Sequence, residues 1–583
     1  MRIKHFFGLA VLAAMTASCS SNNDLVNGGN GSGENESGTS YASITIDLPT
    51  TSGTRAANDD FNEGTASEYA VNDATLLIFE KDGSSENEYK FVEQASLGNL
   101  EPWKKDNTTG NGITTEATIT AELKQASVGE DGDYYALVIL NNTDKDNKDK
   151  VSMPSSTDTY GTWNAAATVK NLIDYEKGFY MANAPEFKTA GEEPTTLVQI
   201  KGIYRTKEEA HSKPGATVHV ERGLAKVTVG KGTGKDYFTG AKASGTKYSN
   251  DDVKIESWAL DVINKYSFPV HVTAGLKDGL TSTSLTIPSY PKIWSNVSGK
   301  TDRFVSQVSA TGAFKRVYWG IDPNYSMDLS NFAKCGEQFT LAAADGSPVT
   351  WKNGSGSDNP LYCLENTFDI NNMKQGQTTR VLLKATYTPS AVATETDKTF
   401  FMIGKSSDIW TVTTLADQIK SKAEEVLGIT PAVKVTLNDG IKSAGTHVLD
   451  ATNVTIKSGE DDKTADVVDK INTKLGFDKD KGIGIKTYKN GESYYIARIK
   501  HFGDDFTKWN PGETYGTDNE KYLGRYGVLR NNWYDLTVNS ISGPGYPDVP
   551  KVNPDTPDDE DTKYINVSVK ILDWAKRSQK VDL

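Results

Sequence analysis

YINVSVKIL, residues 564–572, alternates apolar and polar side chains close to the end of a 583-residue chain. Tyr564, Val567, Val569 and Ile571 are its apolar marks, the two-residue period of a strand with one buried face. A near twin, YASITIDL, stands at residues 41–48. Tyr41 matches Tyr564, Ile44 matches Val567, Thr45 matches Ser568, Ile46 matches Val569 and Leu48 matches Ile571. Asp47 falls against Lys570, a change of charge on the side expected to face solvent. Two strands with the same inward face can fill the same slot in a sheet. Shortly after the first twin comes Arg55, in a small and flexible setting (TTSGTRAANDD) where a protease can bind an extended chain. The pattern predicts cleavage between Arg55 and Ala56. The displaced strand, marked by Tyr41, Ile44, Ile46 and Leu48, then gives way to the second twin of another copy. In that donor strand Tyr564, Val567, Val569 and Ile571 are the plugs, and Trp574 anchors the far end.

A chain of this length holds two or three domains. Gly-rich turns and apolar runs dominated by Thr, Val and Tyr favour a β-rich fold. The net charge of −14 excludes a nucleic-acid surface, which needs a basic face. Residues 1–55 hold Arg2, Lys4 and Arg55 against Asp24, Glu34, Glu36 and Asp47, so the acid excess belongs to the rest of the chain. Arg2, Lys4 and His5 precede an apolar stretch from Phe6 to Met15, and small residues then run into Cys19. That is an export signal, too short in its apolar core to span a membrane. Its TASC ending resembles a lipoprotein signal, which makes Cys19 the acylated residue, although Thr16 stands where leucine is usual. Ordinary signal cleavage near Ser18 is the other reading. Cys335 and Cys363 are the remaining cysteines; export permits a disulfide between them, and two separate buried thiols is the alternative.

Residues 20–40 are Gly, Ser and Asn with almost nothing apolar, a flexible tether. Strand-like runs follow at Ala74–Glu80, 134–140, 196–204 and 216–229, separated by Asn, Gly, Asp and Thr clusters, as in a sandwich. Residues 230–252 turn Gly/Lys/Ser-rich, which places a domain boundary near there. A second β-rich block contains 254–266, 380–388, 494–501 and 526–541. Helical spacing interrupts it at Thr414–Gly428, with Thr414 as the cap, and again at Thr464–Gly476. Residues 543–561 (GPGYPDVPKVNPDTPDDED) have prolines too close together for sheet or helix, and read as an extended, semi-rigid spacer.

No stretch carries a catalytic constellation. GKGTGK at 230–235 is one residue short of a phosphate loop, with Asp236 where Ser or Thr should bind magnesium. Asp478, Asp480 and Gly482 begin like a calcium loop, but Lys489 occupies the position of the bidentate glutamate. The histidines show no ligand spacing, and His219, in a strand pattern, reads as a packed or edge residue. The chain is therefore read as a non-enzyme without metal or cofactor. A surface lipoprotein that binds glycans through Trp103, Trp163 or Trp509 is the alternative from another class.

The combination resembles the fimbrillins of type V pili in Bacteroidia, the FimA-like and Mfa-like subunits. The resemblance is carried by the signal at Cys19, by Arg55 after a short strand, and by VERGLAKVTV at 220–229 with Glu221, Arg222, Ala225 and Lys226. YCLENT at 362–367, TTRVLLKATY at 378–387 and VLRNNWYDLTVNSI at 528–541 add to it. The ending, with Trp574 and Val581-Asp582-Leu583, looks most like the major subunit of the Mfa-type fimbria. The resemblance implies two transthyretin-like β-sandwich domains, 56–235 and 236–542, the second with small helical insertions. It places a signal at 1–19, a tether and removed strand at 20–55, and a spacer with the donor strand at 543–583. It implies export as an outer-membrane lipoprotein and then a place in a cell-surface fimbrium that supports adhesion. The partners it implies are further copies in a head-to-tail polymer, accessory and anchor subunits, an Arg-specific surface protease, and host or bacterial ligands. The subunit is read as the shaft, with an accessory or tip role as the runner-up.

Overall fold

The computed structural model describes residues 38–48, 61–62, 65–98, 116–129, 132–166, 172–187, 194–213, 215–273, 277–279, 284–286, 315–316, 320–342, 349–367, 374–428, 433–501, 526–555 and 565–574. The chain is mainly β. Its first part contributes β1 (Ser40–Asp47), β2 (Phe61–Asn62), β3 (Ala74–Glu80), β4 (Lys90–Ser96), β5 (Glu116–Leu123), β6 (Tyr134–Leu140), β7 (Met181–Asn183), β8 (Glu186–Phe187), β9 (Val198–Gln199) and β10 (Ala216–Arg222). Two short helices, α1 (Tyr160–Ala166) and α2 (Lys207–Ser212), lie between them. Eight strands form one sheet in the order β4-β3-β6-β7-β10-β1-β5, with β9 added beside β6. β4 and β5 end that order, and Glu93 of β4 brings them together. Its carboxylate accepts the backbone N–H groups of Lys124 (2.9 Å), Gln125 (2.8 Å) and Ala126 (2.8 Å) just after β5. The sheet thereby wraps round a core that includes Leu76, Ile78, Leu137, Ile139, Val218 and Val220.

Gly223 separates β10 from β11 (Leu224–Lys231), whose Ala225, Val227 and Val229 belong to a second core. Then come β12 (Asp252–Asp261), α3 (Phe332–Gln338), β13 (Leu361–Leu364), β14 (Arg380–Thr388), β15 (Phe400–Ile403), α4 (Val412–Leu427), α5 (Thr464–Leu475), β16 (Ile485–Tyr488), β17 (Glu492–Arg498), β18 (Asn532–Ile541) and β19 (Ile565–Trp574). One sheet runs β2-β19-β18-β11-β13, and another sets β12, β14 and β17 side by side. Val227, Val229, Leu536 and Val538 of the first meet Val253, Ile255, Leu383 and Tyr495 of the second in one buried layer, sheet packed on sheet. The Gly/Lys/Ser-rich stretch 230–252 packs onto this core, where its Tyr237, Ala243 and Tyr248 are buried.

The two helical patterns fall between β15 and β16, which pair with each other and so close the base of the insertion. Leu415, Ile419 and Ala423 of α4 meet Val467 and Ile471 of α5 in a separate small core. Gly428 ends α4 at φ 65°, a backbone glycine adopts without penalty. The cap is Thr411, not Thr414. The Thr411 side chain accepts from the Thr414 backbone while Thr414 reaches back, because the helix begins one turn earlier than its apolar period.

One further expectation is corrected, and one pair of alternatives is decided. Residues 543–555 are not a free spacer. Tyr546 exchanges backbone hydrogen bonds with Tyr494 (2.9 and 2.7 Å), the Arg380 guanidinium donates to the Pro550 carbonyl (2.6 Å), and Val549 and Val552 are buried. Prolines lack a donor yet keep a full acceptor, and valines between them supply burial. Residues 556–564 lie outside the described residues. Cys335 and Cys363 are free thiols in different cores, Cys335 in α3 beside Val262 and Phe339, Cys363 in β13. Burial pushes the Cys363 thiol up to about 12, so it is inert as a nucleophile.

Candidate functional site

β1 is an interior strand. It pairs antiparallel with β5 along its whole length, from Ser40 opposite Leu123 to Asp47 opposite Glu116. On its other side Ile44 to Asp47 run parallel to Ala216 to His219 of β10. Beyond that ladder Tyr41 exchanges two backbone bonds of 2.8 Å with Tyr204. Ala42, Ile44, Ile46 and Leu48 are fully buried in the first core. The opposite face is covered by α2, and the Thr45 hydroxyl meets that of Thr118 at 2.9 Å. Gly215 makes the close approach possible, since a Cβ there would run into the Ser43 carbonyl. Burying three branched side chains at roughly 1.5–3 kcal/mol each gives β1 a hold of several kcal/mol before its hydrogen bonds are counted.

Tyr41 is half-buried, one residue out of phase with the inward set; Ala42 takes the inward place. The terminal twin shows the same phase. Ile565 and Val567 pack against the second core, and Tyr564 lies outside the described residues. β19 runs antiparallel to β18, with Val567 opposite Val538, Val569 opposite Leu536 and Ile571 opposite Tyr534. On its other side Asp573 and Trp574 run parallel to Phe61 and Asn62 of β2. The resident strand and the terminal strand therefore occupy different sheets, one in each core. Cys19, Arg55 and Ala56 lie outside the described residues, as do Trp103 and Trp509.

The outer corner of the slot is polar. Asp47 Oδ2 lies 3.6 Å from His219 Nε2, and His219 Nδ1 lies 2.7 Å from Glu186 Oε1. Burial pushes the Asp47 carboxyl up to about 6; His219 opposes this, and Glu116 and Glu186 add to it. Glu93, Gly215 and the Glu186–His219 pair carried no local signal in the sequence, because each acts on a strand far away in the chain.

The runs quoted for the family resemblance meet between the two cores. Lys226 bonds Glu68 at 2.8 Å with both side chains sealed from solvent, and its ammonium lies 3.8 Å from the Trp533 ring centroid. Tyr362 donates to Glu68 at 2.5 Å. Asn531, in the left-handed region at φ 58°, accepts from the Arg222 backbone at 3.1 Å. Glu365 pairs with Arg530 (3.5 Å) and approaches His271, which bonds Glu221 at 3.0 Å. Burial pushes the Glu68 carboxyl up, but Lys226 together with hydrogen bonds from Lys226, Tyr362 and Thr65 outweighs it and holds the group below its usual range. These side chains act as a clasp. Nothing in their arrangement offers a nucleophile, a base and a cleft together.

Residues 486–580, from within β16 to beyond β19, match the family described as "Major fimbrial subunit protein type IV, Fimbrillin, C-terminal". That C-terminal stretch of the chain is similar to the fimbrillin family. No curated protein matches the chain. Among solved structures, the chain is similar to a fimbrilin (fimA) from Porphyromonas gingivalis W83, at 12% identity over 92% of this chain and 99% of that one, TM-score 0.35. It is also similar to the C-terminally truncated tip fimbrial protein Mfa3 from Porphyromonas gingivalis, at 10% identity over 92% and 100%, TM-score 0.28. Both TM-scores are low; the likeness to the fimbrillin family rests on the match at residues 486–580, which takes in β17, β18 and β19.

Proposed function

We propose that this fimbrial subunit forms the shaft of a cell-surface fimbria and polymerises by strand exchange triggered by a protease. In this reading the chain is exported, acylated at Cys19 and cut between Arg55 and Ala56. β1 then leaves, and β19 of the next copy enters its slot. The seat of β1 carries the reading: a strand ahead of the cut site lies between β5 and β10, buried on its apolar face, and has a twin at the other end of the chain. Its departure leaves two rows of unpaired backbone groups and an uncovered apolar groove, both costly until filled. Addition of a strand from another chain restores pairing and burial. Because donor and acceptor are opposite ends of each copy, the contact does not close on itself and yields a fibre. Each half of the molecule is taken as a transthyretin-like sandwich.

β19 lying along its own β18 favours a second reading, an accessory or tip subunit that accepts a strand and keeps its own. The glycan-binding alternative loses Trp163, which is buried and donates to the Ser152 carbonyl at 2.8 Å. Treatment of residues 20–583 with an Arg-specific protease tests the proposal. The expected result is a new N-terminus at Ala56 and a ladder of multimers, absent in Arg55→Ala and in a chain ending at Thr562. Cleavage at Ala56 without multimers points to the accessory role. Resistance to cleavage with no assembly overturns the fimbrial-shaft reading.

A further inference from the structure

The twins differ in charge at one position only: Asp47 in the resident strand corresponds to Lys570 in the terminal strand. The surroundings of that position are acidic. Glu116 of β5 stands directly opposite Asp47 in register. His219 stands beside it on β10, 3.6 Å away, and is itself held by Glu186 of β8 at 2.7 Å. Arg316 occupies the register position opposite Glu186 on the next strand, one step further out. Asp47 and Glu186 thus share one imidazole, in a corner where the Asp47 side chain is 17% exposed and that of Glu186 7%, while Glu116 faces Asp47 from the other side. Like charges directly opposite in a sheet destabilise, and opposite charges stabilise.

The geometry points to a charge-selective end of the slot: Glu116 and Glu186 disfavour the resident Asp47 and favour Lys570 of an incoming strand. This inference rests on the strand-exchange reading and adds a determinant of which strand the slot retains. The upward displacement of the Asp47 carboxyl, whose first cause is burial, agrees with a resident strand that fits this corner poorly. An ammonium on a long stem there has two carboxylates to meet, and Glu186 can keep its bond to His219. The same site also tells the copies' strands apart from apolar strands of matching shape, since shape alone does not distinguish β1 from β19.

The test changes the acceptor, because Lys570 in its own chain lies opposite Asp535 of β18 and its replacement alone would also disturb that seat. The full chain is prepared as wild type, Glu116→Lys, and Glu116→Lys with Lys570→Glu, each cut with an Arg-specific protease, and multimer growth is followed over time. Cleavage rate and the melting of the uncut protein serve as folding controls. Glu116→Lys is expected to slow assembly roughly fivefold, and the double reversal to restore most of it, since each cross-strand charge pair is worth up to about 1 kcal/mol. Equal rates in all three, or a double variant slower than the single, overturn the inference while wild-type assembly keeps the exchange reading intact. Wild type that is cut and never assembles overturns both.

Discussion

Asp47 holds the resident strand less firmly than its neighbours do. The groups that set its titration are His219 on β10, Glu116 on β5 and Glu186 on β8, while α2, on the same strand, carries Lys207, Glu208, Glu209 and His211. Its ordinary value of 3.8 rises to about 6 in the folded protein, mainly through burial. A carboxyl raised on folding is bound to its proton more tightly in the native state. Stability is therefore complete below about pH 4 and falls as pH rises to about 6, by something on the order of 1–3 kcal/mol. Asp47→Asn removes that loss. Urea unfolding of the uncut protein should find Asp47→Asn more stable than wild type at pH 7 and indistinguishable at pH 4. A constant difference across this range would show that Asp47 does not titrate as described. After cleavage, the same variant should give up β1 more slowly.

If β1 leaves on processing as proposed, its residues have opposite signatures in precursor and polymer. Ile46→Ala should lower the stability of the uncut protein by about 2–5 kcal/mol, as a buried truncation does, and leave the polymer's melting unchanged. Val569→Asp should spare the fold of the first core and abolish multimers; a ladder of normal size would contradict the role given to β19. Glu93→Ala should loosen β5, seen as faster hydrogen exchange at residues 116–126, because three backbone donors lose their common acceptor. Both twins were legible in the sequence because alternation with period 2 is a property of one face. Their phase was less so: Tyr41 and Tyr564 looked like the first inward residues, whereas the small Ala42 and the adjoining Ile565 hold those positions. The helices were readable from spacing, and the start of α4 was not, since Thr411 and Thr414 make equally plausible caps. What no local pattern could reveal is what lies across the sheet, such as Glu93 fixing β5, Gly215 yielding to Ser43, or Val549 and Val552 drawing a Pro-rich run onto the surface. Each of these depends on a partner far along the chain.

At the scale of the molecule, the acceptor slot lies in one core and β19 rests on the other, so a polymer of fixed geometry needs the two cores clasped. Glu68 is the centre of that clasp and stands shortly after the proposed cut at Arg55. Glu68→Gln leaves Lys226 buried without its counter-charge, and is expected to cost about 3–5 kcal/mol in urea unfolding; a loss under 1 kcal/mol would remove the clasp from the account. Its carboxyl is held below its usual range, so the stabilisation is present above the unfolded value near 4.5 and disappears as pH falls beneath it. Residues 543–555 are docked, so they are not part of any free tether to β19. The central claim, that β19 of one copy takes the place of β1 in another, is tested most directly by a cysteine pair across the slot. In β1, Ile46 lies opposite Ala117 of β5; the corresponding residue of β19 is Val569. Copies carrying Ala117→Cys are mixed with copies carrying Val569→Cys, cut at Arg55, and oxidised. Directly opposed strand residues lie 4.5–5.5 Å apart at Cα, within disulfide range. The account predicts a disulfide between copies that forms only after cleavage. Multimers that grow without that bond would contradict it.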